Sequence, residues 1–402
     1  MLSYAARNIY KSLYNLANKM SIVIHFSEII LKGKNRPFFE RILVNNIRAS
    51  LDKNIVDIRK EAARIVCEVE NEDVKVLLEK IPGIANFSFA IKSRLDINDF
   101  KEISLNILKN RTFASFKIET RRSNKGFMQS STQINEQVGE YIVKNLNKVV
   151  KLKNPEITLN IEIGNKEAFL YVEKYQGIGG LPVGSSDSLI CSLSGGLDSP
   201  VSSYMMMKRG CRIVFVHIYN PTQVNKGLLT KIKDIVKQLS TFQNNSKLYI
   251  VPFDKIQKEI MKTVPSKVRM IVYRRFMLKI MNKIAEKEKI RAIVTGDSLG
   301  QVASQTIPNL NVIYEASELP IFPPLIGMNK EEIINISRQI GTYDYSILAY
   351  PDCCSFMIAE HPEIKAELVE IKKVEANIQN QEDLIKEAFC NSEIFMLSKQ
   401  VN

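Results

Sequence analysis

Residues 189–200 read Leu-Ile-Cys-Ser-Leu-Ser-Gly-Gly-Leu-Asp-Ser-Pro, and the rest of the chain can be arranged around them. Leu189 to Leu193 is a short apolar run bounded by polar residues, the pattern of a buried strand. Ser194, Gly195 and Gly196 follow as a tight turn where backbone approaches something closely. Ser199 is suited to a helix N-cap and Pro200 to the first helical position. A strand, a glycine turn and a helix start converge amides and hydroxyls on one point, which makes an anion site.

No Gly-Lys-Ser/Thr follows the glycines, so this is not a Walker A loop. Ser194-Gly-Gly-Leu-Asp-Ser199 resembles the pyrophosphate loop of ATP pyrophosphatases, which cleave ATP to AMP and pyrophosphate while adenylating a substrate. That resemblance implies ATP chemistry and leaves the acceptor open. An ordinary glycine turn before a helix is the plain alternative.

With 402 residues the chain is too long for one typical domain, so two or three are expected. A 45% hydrophobic content supports real cores, and 25% charged residues argue against disorder. Fifty-six Lys and Arg against 43 Asp and Glu leave a net charge of +13. That favours a polyanionic partner, nucleic acid first and an anionic membrane second. No apolar run is long enough to span a membrane. Six cysteines, Cys67, Cys191, Cys211, Cys353, Cys354 and Cys390, fit neither a disulfide framework nor a Cys-x-x-Cys metal pattern. A reducing cytoplasm is the simplest setting. Residues 1–20 lack acidic side chains and carry Arg7, Lys11 and Lys19. They read as an extension, faintly like a transit peptide, or as residues before a start at Met20.

Along the chain, Ile22–Phe26 reads as a strand and Pro37–Leu51 as a helix, with Phe39, Leu43, Ile47 and Leu51 on one face. Between them Lys32, Lys34 and Arg36 surround Gly33 in a basic turn suited to phosphates, or simply to solvent. Helical patterns near 73–80, 98–110 and 132–147 alternate with strand patterns near 84–91, 115–120, 157–163 and 167–173, an α+β mixture. Lys117-Ile-Glu-Thr-Arg-Arg-Ser-Asn-Lys-Gly-Phe127 adds Arg121, Arg122 and Lys125, a second basic cluster for an RNA backbone or a solvated edge. Gln176-Gly-Ile-Gly-Gly-Leu-Pro-Val-Gly184 breaks any regular element and reads as the linker. From 185 onward, strands near 189–193, 212–218, 247–252 and 291–295 alternate with helices near 199–209, 226–240, 267–289 and 330–340. This is the signature of a doubly wound α/β domain, with Asn329 and Glu332 as a capping box. Its ligand edge, the carboxyl ends of the strands, would carry Ser192–Ser199, His217–Ile218 and Gly296–Gln305.

Three more stretches join the loop: Tyr273-Arg-Arg, Thr295-Gly-Asp-Ser-Leu-Gly-Gln-Val-Ala-Ser-Gln305 and Asp352-Cys-Cys. Together with the basic turn at 31–36 they make the chain closely similar to the tRNA 4-thiouridine synthetases, or tRNA sulfurtransferases, from about residue 21 to about 370. The resemblance implies a ferredoxin-like domain at 21–72, a THUMP RNA-binding domain at 73–175, a linker at 176–184, and a catalytic pyrophosphate-loop domain at 185–370. A charged tail at 371–402 would follow, after an N-terminal extension at 1–20.

The resemblance also implies an activity. ATP activates uridine 8 of tRNA through its 4-oxygen, and persulfide sulfur then displaces AMP to leave 4-thiouridine. ATP contacts carried over from the family fall on Ser192, Leu193, His217, Ile218, Arg274, Gly296 and Gln305. Chemistry puts Ser194, Gly195, Gly196, Asp198 and Ser199 around the phosphates, with Asp198 acting directly or through Mg²⁺. No protein metal site is expected beyond that. Arg274 suits phosphate neutralisation, Gln305 offers donor and acceptor, and His217 is as apt for a structural as for a catalytic role. Cys354 aligns with the family's essential cysteine, whose thiolate would accept or resolve a persulfide, and Cys353 is a bystander.

Longer family members add a rhodanese domain that carries the persulfide, and this chain ends without one. A cysteine desulfurase or another donor is therefore the expected sulfur source, and a thiamine role through a sulfur-carrier protein is doubtful. An iron–sulfur cluster is disfavoured. A cytoplasmic homodimer is expected, without membrane attachment. Two alternatives stand beside this: a pyrophosphate-loop thiolase for another tRNA base or a carrier protein, and a non-catalytic tRNA-binding protein.

Overall fold

A computed structural model of the chain describes residues 20–124, 126–223, 226–348 and 359–398. The chain divides between Gly180 and Leu181 into two units, inside the stretch read as the linker. Gly179 and Gly180 adopt positive φ, which glycine tolerates without penalty. The Gly179 amide donates to the Ile84 carbonyl at 2.7 Å, while the Leu181 amide donates to Lys208 at 2.9 Å, so each half of the linker is tied to its own unit.

The first unit runs β1 (Met20–His25), α1 (Arg36–Leu51), β2 (Ile55–Glu61), β3 (Arg64–Val69), α2 (Val74–Leu78), β4 (Asn86–Ser93), α3 (Ile97–Leu108), β5 (Ser115–Arg122), α4 (Ser131–Leu146), β6 (Val149–Val150), β7 (Ile157–Ile163), β8 (Ala168–Tyr171) and β9 (Tyr175–Gln176). Among the described residues its strands form one sheet, ordered β2-β3-β1-β4-β8-β7-β5-β6, with β9 added beside β4. Alternation along β1 sends Ile22 and Ile24 into a core with α1 and sends Val23 into a smaller cluster with Val66, Ala90, Phe169 and Tyr171. The first core includes Val74, Leu78, Ile81, Ile84, Phe87 and Phe89, so it continues past the join expected at 72/73.

The second core packs Phe100 and Ile107 of α3 and Ile134, Val138 and Ile142 of α4 on Phe116, Leu159 and Ile161. Asp96 caps α3, and Ser130 with Gln133 forms a capping box on α4. β4 serves both halves. Its residues through Ala90 pair with β1, and Ile91 to Ser93 pair with β8.

One buried carboxylate also joins the halves. Glu162 on β7 accepts from His25 Nε2 at 2.9 Å and Arg64 Nη1 at 2.7 Å, and from the Tyr171 hydroxyl. Burial pushes its pKa up, but the hydrogen bonds and charge of His25, Tyr171 and Arg64 outweigh that and hold it down to about 2.

The second unit runs β10 (Leu189–Ser192), α5 (Asp198–Met207), β11 (Ile213–Tyr219), α6 (Lys226–Gln243), β12 (Asn245–Pro252), α7 (Asp254–Thr263), α8 (Arg269–Glu288), β13 (Ile293–Val294), α9 (Ile307–Tyr314), β14 (Ile321–Phe322), α10 (Lys330–Gln339), α11 (Tyr343–Ser346), α12 (Leu368–Ala376), α13 (Gln381–Cys390) and β15 (Glu393–Ser398). The sheet order is β14-β13-β10-β11-β12-β15. All neighbours are parallel except β15, which is antiparallel on the β12 edge. Strands covered on both faces read as continuous apolar runs. Ile190, Val214, Val216, Tyr249 and Val251 face a core built with α7, α8 and α9, and Cys191, Phe215, Leu248 and Ile250 are buried on the opposite pleat.

Two expectations are corrected. The stretch expected to be a tail from 371 is not appended as far as it is described, to Ser398, because Ile371, Ile378, Ile385 and Ala388 lie in the main core and β15 completes the sheet. Arg275 on α8, 2% exposed, forks onto Glu375 of α12 with two contacts of 3.0 Å, which pins that stretch down. In addition α5 begins at Asp198 with Leu197 at the cap position. Ser199 therefore lies inside the first turn, where its hydroxyl turns back onto Ser194 instead of capping.

Candidate active site

The ladder between β10 and β11 ends with the Leu193 amide donating to Val216, and the backbone then leaves the sheet. Ser199 Oγ accepts the Ser194 amide at 2.9 Å and lies 3.1 Å from Ser194 Oγ, which in turn accepts the Gly196 amide at 3.3 Å. These bonds close the loop into a small ring of hydroxyls at the start of α5. Among the described residues a Cβ on Gly196 would meet only Ser194 Oγ, at 3.6 Å, which leaves room for a ligand beside the turn.

Gly296 has the opposite environment. A Cβ there would lie 2.8 Å from the Ser199 amide nitrogen and 3.0 Å from the Asp198 carbonyl carbon, so glycine lets the end of β13 touch the start of α5. Ser202 Oγ donates to the Thr295 carbonyl at 2.7 Å and fastens the same contact.

Charged groups converge on this edge from distant parts of the unit. Asp198 Oδ1 receives Lys330 Nζ at 2.7 Å, and Oδ2 receives Gln301 Nε2 at 2.9 Å. Arg274 Nη2 contacts both oxygens of Asp297, at 2.7 and 2.8 Å. Asp297 also accepts from Gln305 Nε2 at 3.1 Å and from the Tyr314 hydroxyl at 2.8 Å. Burial pushes the Asp297 carboxyl up, but the Arg274 charge and the surrounding hydrogen bonds outweigh this and hold it below the usual carboxylate range. Burial and the Asp297 charge push the Tyr314 hydroxyl up, so it stays a donor.

His217 is 2% exposed and donates Nδ1 to the Leu193 carbonyl at 2.8 Å, a bond that holds the loop's departure point. Ile218 and Leu193 are buried beside it and Ser192 is half-buried. Ser192 to Ser199, Arg274, Gly296 and Gln305 thus gather on one edge, linked by direct hydrogen bonds or close contact. Cys353 and Cys354 lie outside the described residues, as does Lys125.

In the first unit the basic candidates separate. Arg36 donates to Glu40 at 2.6 Å and to the Ala62 carbonyl at 2.8 Å, and Arg122 donates to the carbonyls of Phe127 and Gln129. Both arginines hold their own loops. Lys32 lies over the Phe39 ring, and Arg121, 63% exposed, pairs with Glu119 at 2.8 Å.

Sequence reasoning missed Lys330 and Tyr314 as members of the site, assigned no individual role to Asp297 and Gln301 within Gly296–Gln305, and missed Ser346, whose hydroxyl donates to the Gly196 carbonyl at 3.3 Å. Asp297, Gln301 and Lys330 sat within or beside quoted motifs, but their pairing spans up to 132 residues.

A serine-lined loop at the carboxyl edge of a doubly wound sheet, faced by Lys330 and Arg274, defines a pyrophosphate-loop ATP pyrophosphatase fold. Comparison with known proteins extends this. Residues 184–380 match the family model described as thiamine biosynthesis protein (ThiI), 21–88 match the ThiI ferredoxin-like domain and 95–173 the THUMP domain. A probable tRNA sulfurtransferase of Caldanaerobacter subterraneus subsp. tengcongensis is 40% identical over 90% of this chain and 96% of its own length. One from Acetivibrio thermocellus is 40% identical over 95% of this chain and 100% of its own. A crystal structure of a 4-thiouridine synthetase–RNA complex with bound ATP superposes with a TM-score of 0.88 at 33% identity, covering 94% of this chain and 100% of that one. The chain belongs to the tRNA sulfurtransferases, enzymes that transfer sulfur to a uracil of tRNA. No described helix is long and apolar enough to cross a membrane.

Proposed function

We propose that the chain uses ATP to adenylate the 4-oxygen of uridine 8 in tRNA, releasing pyrophosphate, and that persulfide sulfur then attacks carbon 4. AMP leaves, with carbon 4 now joined to the donor through a disulfide, and attack of a second thiol on that S–S bond releases 4-thiouridine and forms a new disulfide. The carrying observation is the ring of Ser194 and Ser199 hydroxyls and loop amides, with cationic Lys330 and Arg274 on the same edge. Such a site suits the triphosphate and the charge that develops as pyrophosphate departs. The ATP-bound, RNA-bound relative supports both ligands.

Within this reading Ser194, Gly195, Gly196 and Ser199 hold the phosphates, and Arg274, Gly296 and Gln305 border the nucleotide. Backbone at Ser192, Leu193, His217 and Ile218 lies along adenine. Among the described residues no three His, Cys, Asp or Glu gather as a metal site. Mg²⁺ would be held chiefly by phosphate oxygens, with Asp198 as the carboxylate at hand. Cys354 supplies the thiolate that takes sulfur from the donor, a cysteine desulfurase being the persulfide source. Lys32, Lys34, Arg121 and Lys125 are the tRNA-facing candidates, while Arg36 and Arg122 shape the loops that present them. A homodimer would let one subunit present tRNA to the other, and the setting is cytoplasmic. Membership of a family described as thiamine biosynthesis proteins supports a second acceptor, a thiamine sulfur-carrier protein, for the same adenylation site.

The test is a reconstituted assay with labelled cysteine, a desulfurase, Mg-ATP and unmodified tRNA, with nucleosides resolved by mass. ATP-dependent 4-thiouridine is expected. Asp198→Ala should abolish AMP formation, and Cys354→Ser should keep it while losing thiolation. Thiolation by Cys354→Ser would remove that cysteine from the mechanism, and AMP without thiolated base would redirect the acceptor.

A further inference from the structure

Gln305 is 8% exposed, and its Oε1 is buried with no hydrogen-bond partner among the described residues. Buried acceptors are rarely left so, and one beside a ligand edge implies a donor on the ligand. Which end of an amide faces a ligand depends on what holds the other end. Here that is Asp297, a carboxylate held ionised by Arg274 and able only to accept. It takes the Gln305 Nε2 donor at 3.1 Å. The Tyr314 hydroxyl at 2.8 Å fixes Asp297 from a third direction, and the Gln305 backbone N–H donates to the Val302 carbonyl at 2.8 Å. Amide, carboxylate and guanidinium form one locked unit.

We propose that Asp297 is a positioning residue that fixes Gln305 as a hydrogen-bond acceptor, so that Gln305 selects an N–H or O–H donor of the nucleotide and not a phosphate oxygen. The donors a nucleotide offers are the exocyclic amino group of adenine and the ribose hydroxyls, whereas phosphate oxygens at neutral pH only accept. The inference rests on the ATP site proposed above and adds the polarity of one contact to it. Asn at position 297 could donate as well as accept, which would let Gln305 turn its amide and present a donor in place of the acceptor.

The experiment measures tRNA-dependent pyrophosphate release with ATP, inosine triphosphate and 2′- and 3′-deoxy-ATP, for wild type, Asp297→Asn, Asp297→Glu and Gln305→Met. One hydrogen bond of this kind gives about tenfold discrimination. Wild type should prefer ATP about tenfold, in KM more than kcat, over whichever analogue lacks the donor. An effect confined to inosine triphosphate assigns the amino group, and one confined to a deoxy analogue assigns the hydroxyl. Asp297→Asn and Gln305→Met should both erase that preference, and Asp297→Glu, which keeps a carboxylate, should restore most of it. Gln305→Met leaves the Arg274–Asp297 pair intact, so it tests the contact even if Asp297→Asn folds poorly, and thermal melting identifies that case. Equal use of all four nucleotides by wild type, or an unchanged preference in Gln305→Met, overturns the inference. Absence of pyrophosphate release from wild type would instead overturn the underlying ATP reading.

Discussion

Replacing Gly296 by alanine isolates one contact on which the phosphate loop depends. The added Cβ would lie 2.8 Å from the Ser199 nitrogen, 3.0 Å from the Asp198 carbonyl carbon and 3.1 Å from Ser199 Cα. All three are backbone atoms, so no side chain can swing aside. Ordinary contact requires the start of α5 to retreat by roughly 0.5 Å. Ser202 resists this, because its hydroxyl holds the Thr295 carbonyl next to Gly296. Overpacking of this kind costs about 1–3 kcal/mol of stability. The larger consequence is for catalysis, since a misplacement of about 1 Å costs on the order of 100-fold. Gly296→Ala should therefore lower kcat for AMP formation by about 10- to 100-fold while the protein still melts cooperatively. Pyrophosphate release with saturating tRNA, beside a thermal melt, measures both. A kcat/KM within about threefold of wild type would refute the claim that this contact sets the loop.

Glu375→Ala should leave the buried Arg275 guanidinium short of its main partner and destabilise the second unit by about 3 kcal/mol. That lowers its melting temperature by about 6–12 °C, and a shift under about 2 °C would mean that α12 is held by other contacts. Glu162→Gln should destabilise the chain most at neutral pH. Because the folded carboxyl is held down to about 2 against an ordinary 4.5, its stabilisation is complete above about pH 4.5 and disappears as pH falls through the folded value. Melting of both forms from pH 7 to pH 3 should show the gap narrowing with acid, and a constant gap would contradict the ionised assignment. Cys191→Ala should keep thiolation near the wild-type rate in the desulfurase-coupled assay. Its thiol is fully buried with a pKa pushed up to about 12 by burial, so loss of sulfur transfer would mean the thiol is reached after all.

What was legible in the chain was local. Leu189–Leu193, the strands through residue 252 and the Asn329–Glu332 capping box could be read because their signals lie within a few residues. The pairing of Lys330 with Asp198 and of Asp297 with Tyr314 leaves no such trace, since only the fold brings those groups together. The sequence suggests a strand over 291–295, but β13 has two residues, because its pairing with β10 stops at Val294, just before Gly296 meets α5. Helix α7 went unread because Asp254–Thr263 is short and strongly charged on one face. The charged composition after residue 370 suggests a solvated tail, yet Ile371 on α12, Ile378 in the turn that follows and Ile385 on α13 are all buried in the main core.

The continuity of β4 gives the first unit a ruler. Ala90 and Ile91 are successive residues of one pleat, the former paired with β1 and the latter with β8. Consecutive strand residues advance by about 3.4 Å and face opposite ways. Inserting a single residue between them would turn every side chain of Ile91–Ser93 over relative to Asn86–Ala90. The two halves therefore cannot be exchanged between relatives as independent cassettes, and a graft would have to keep Asn86–Ser93 whole. Any surface that spans both halves inherits a spacing fixed by covalent geometry.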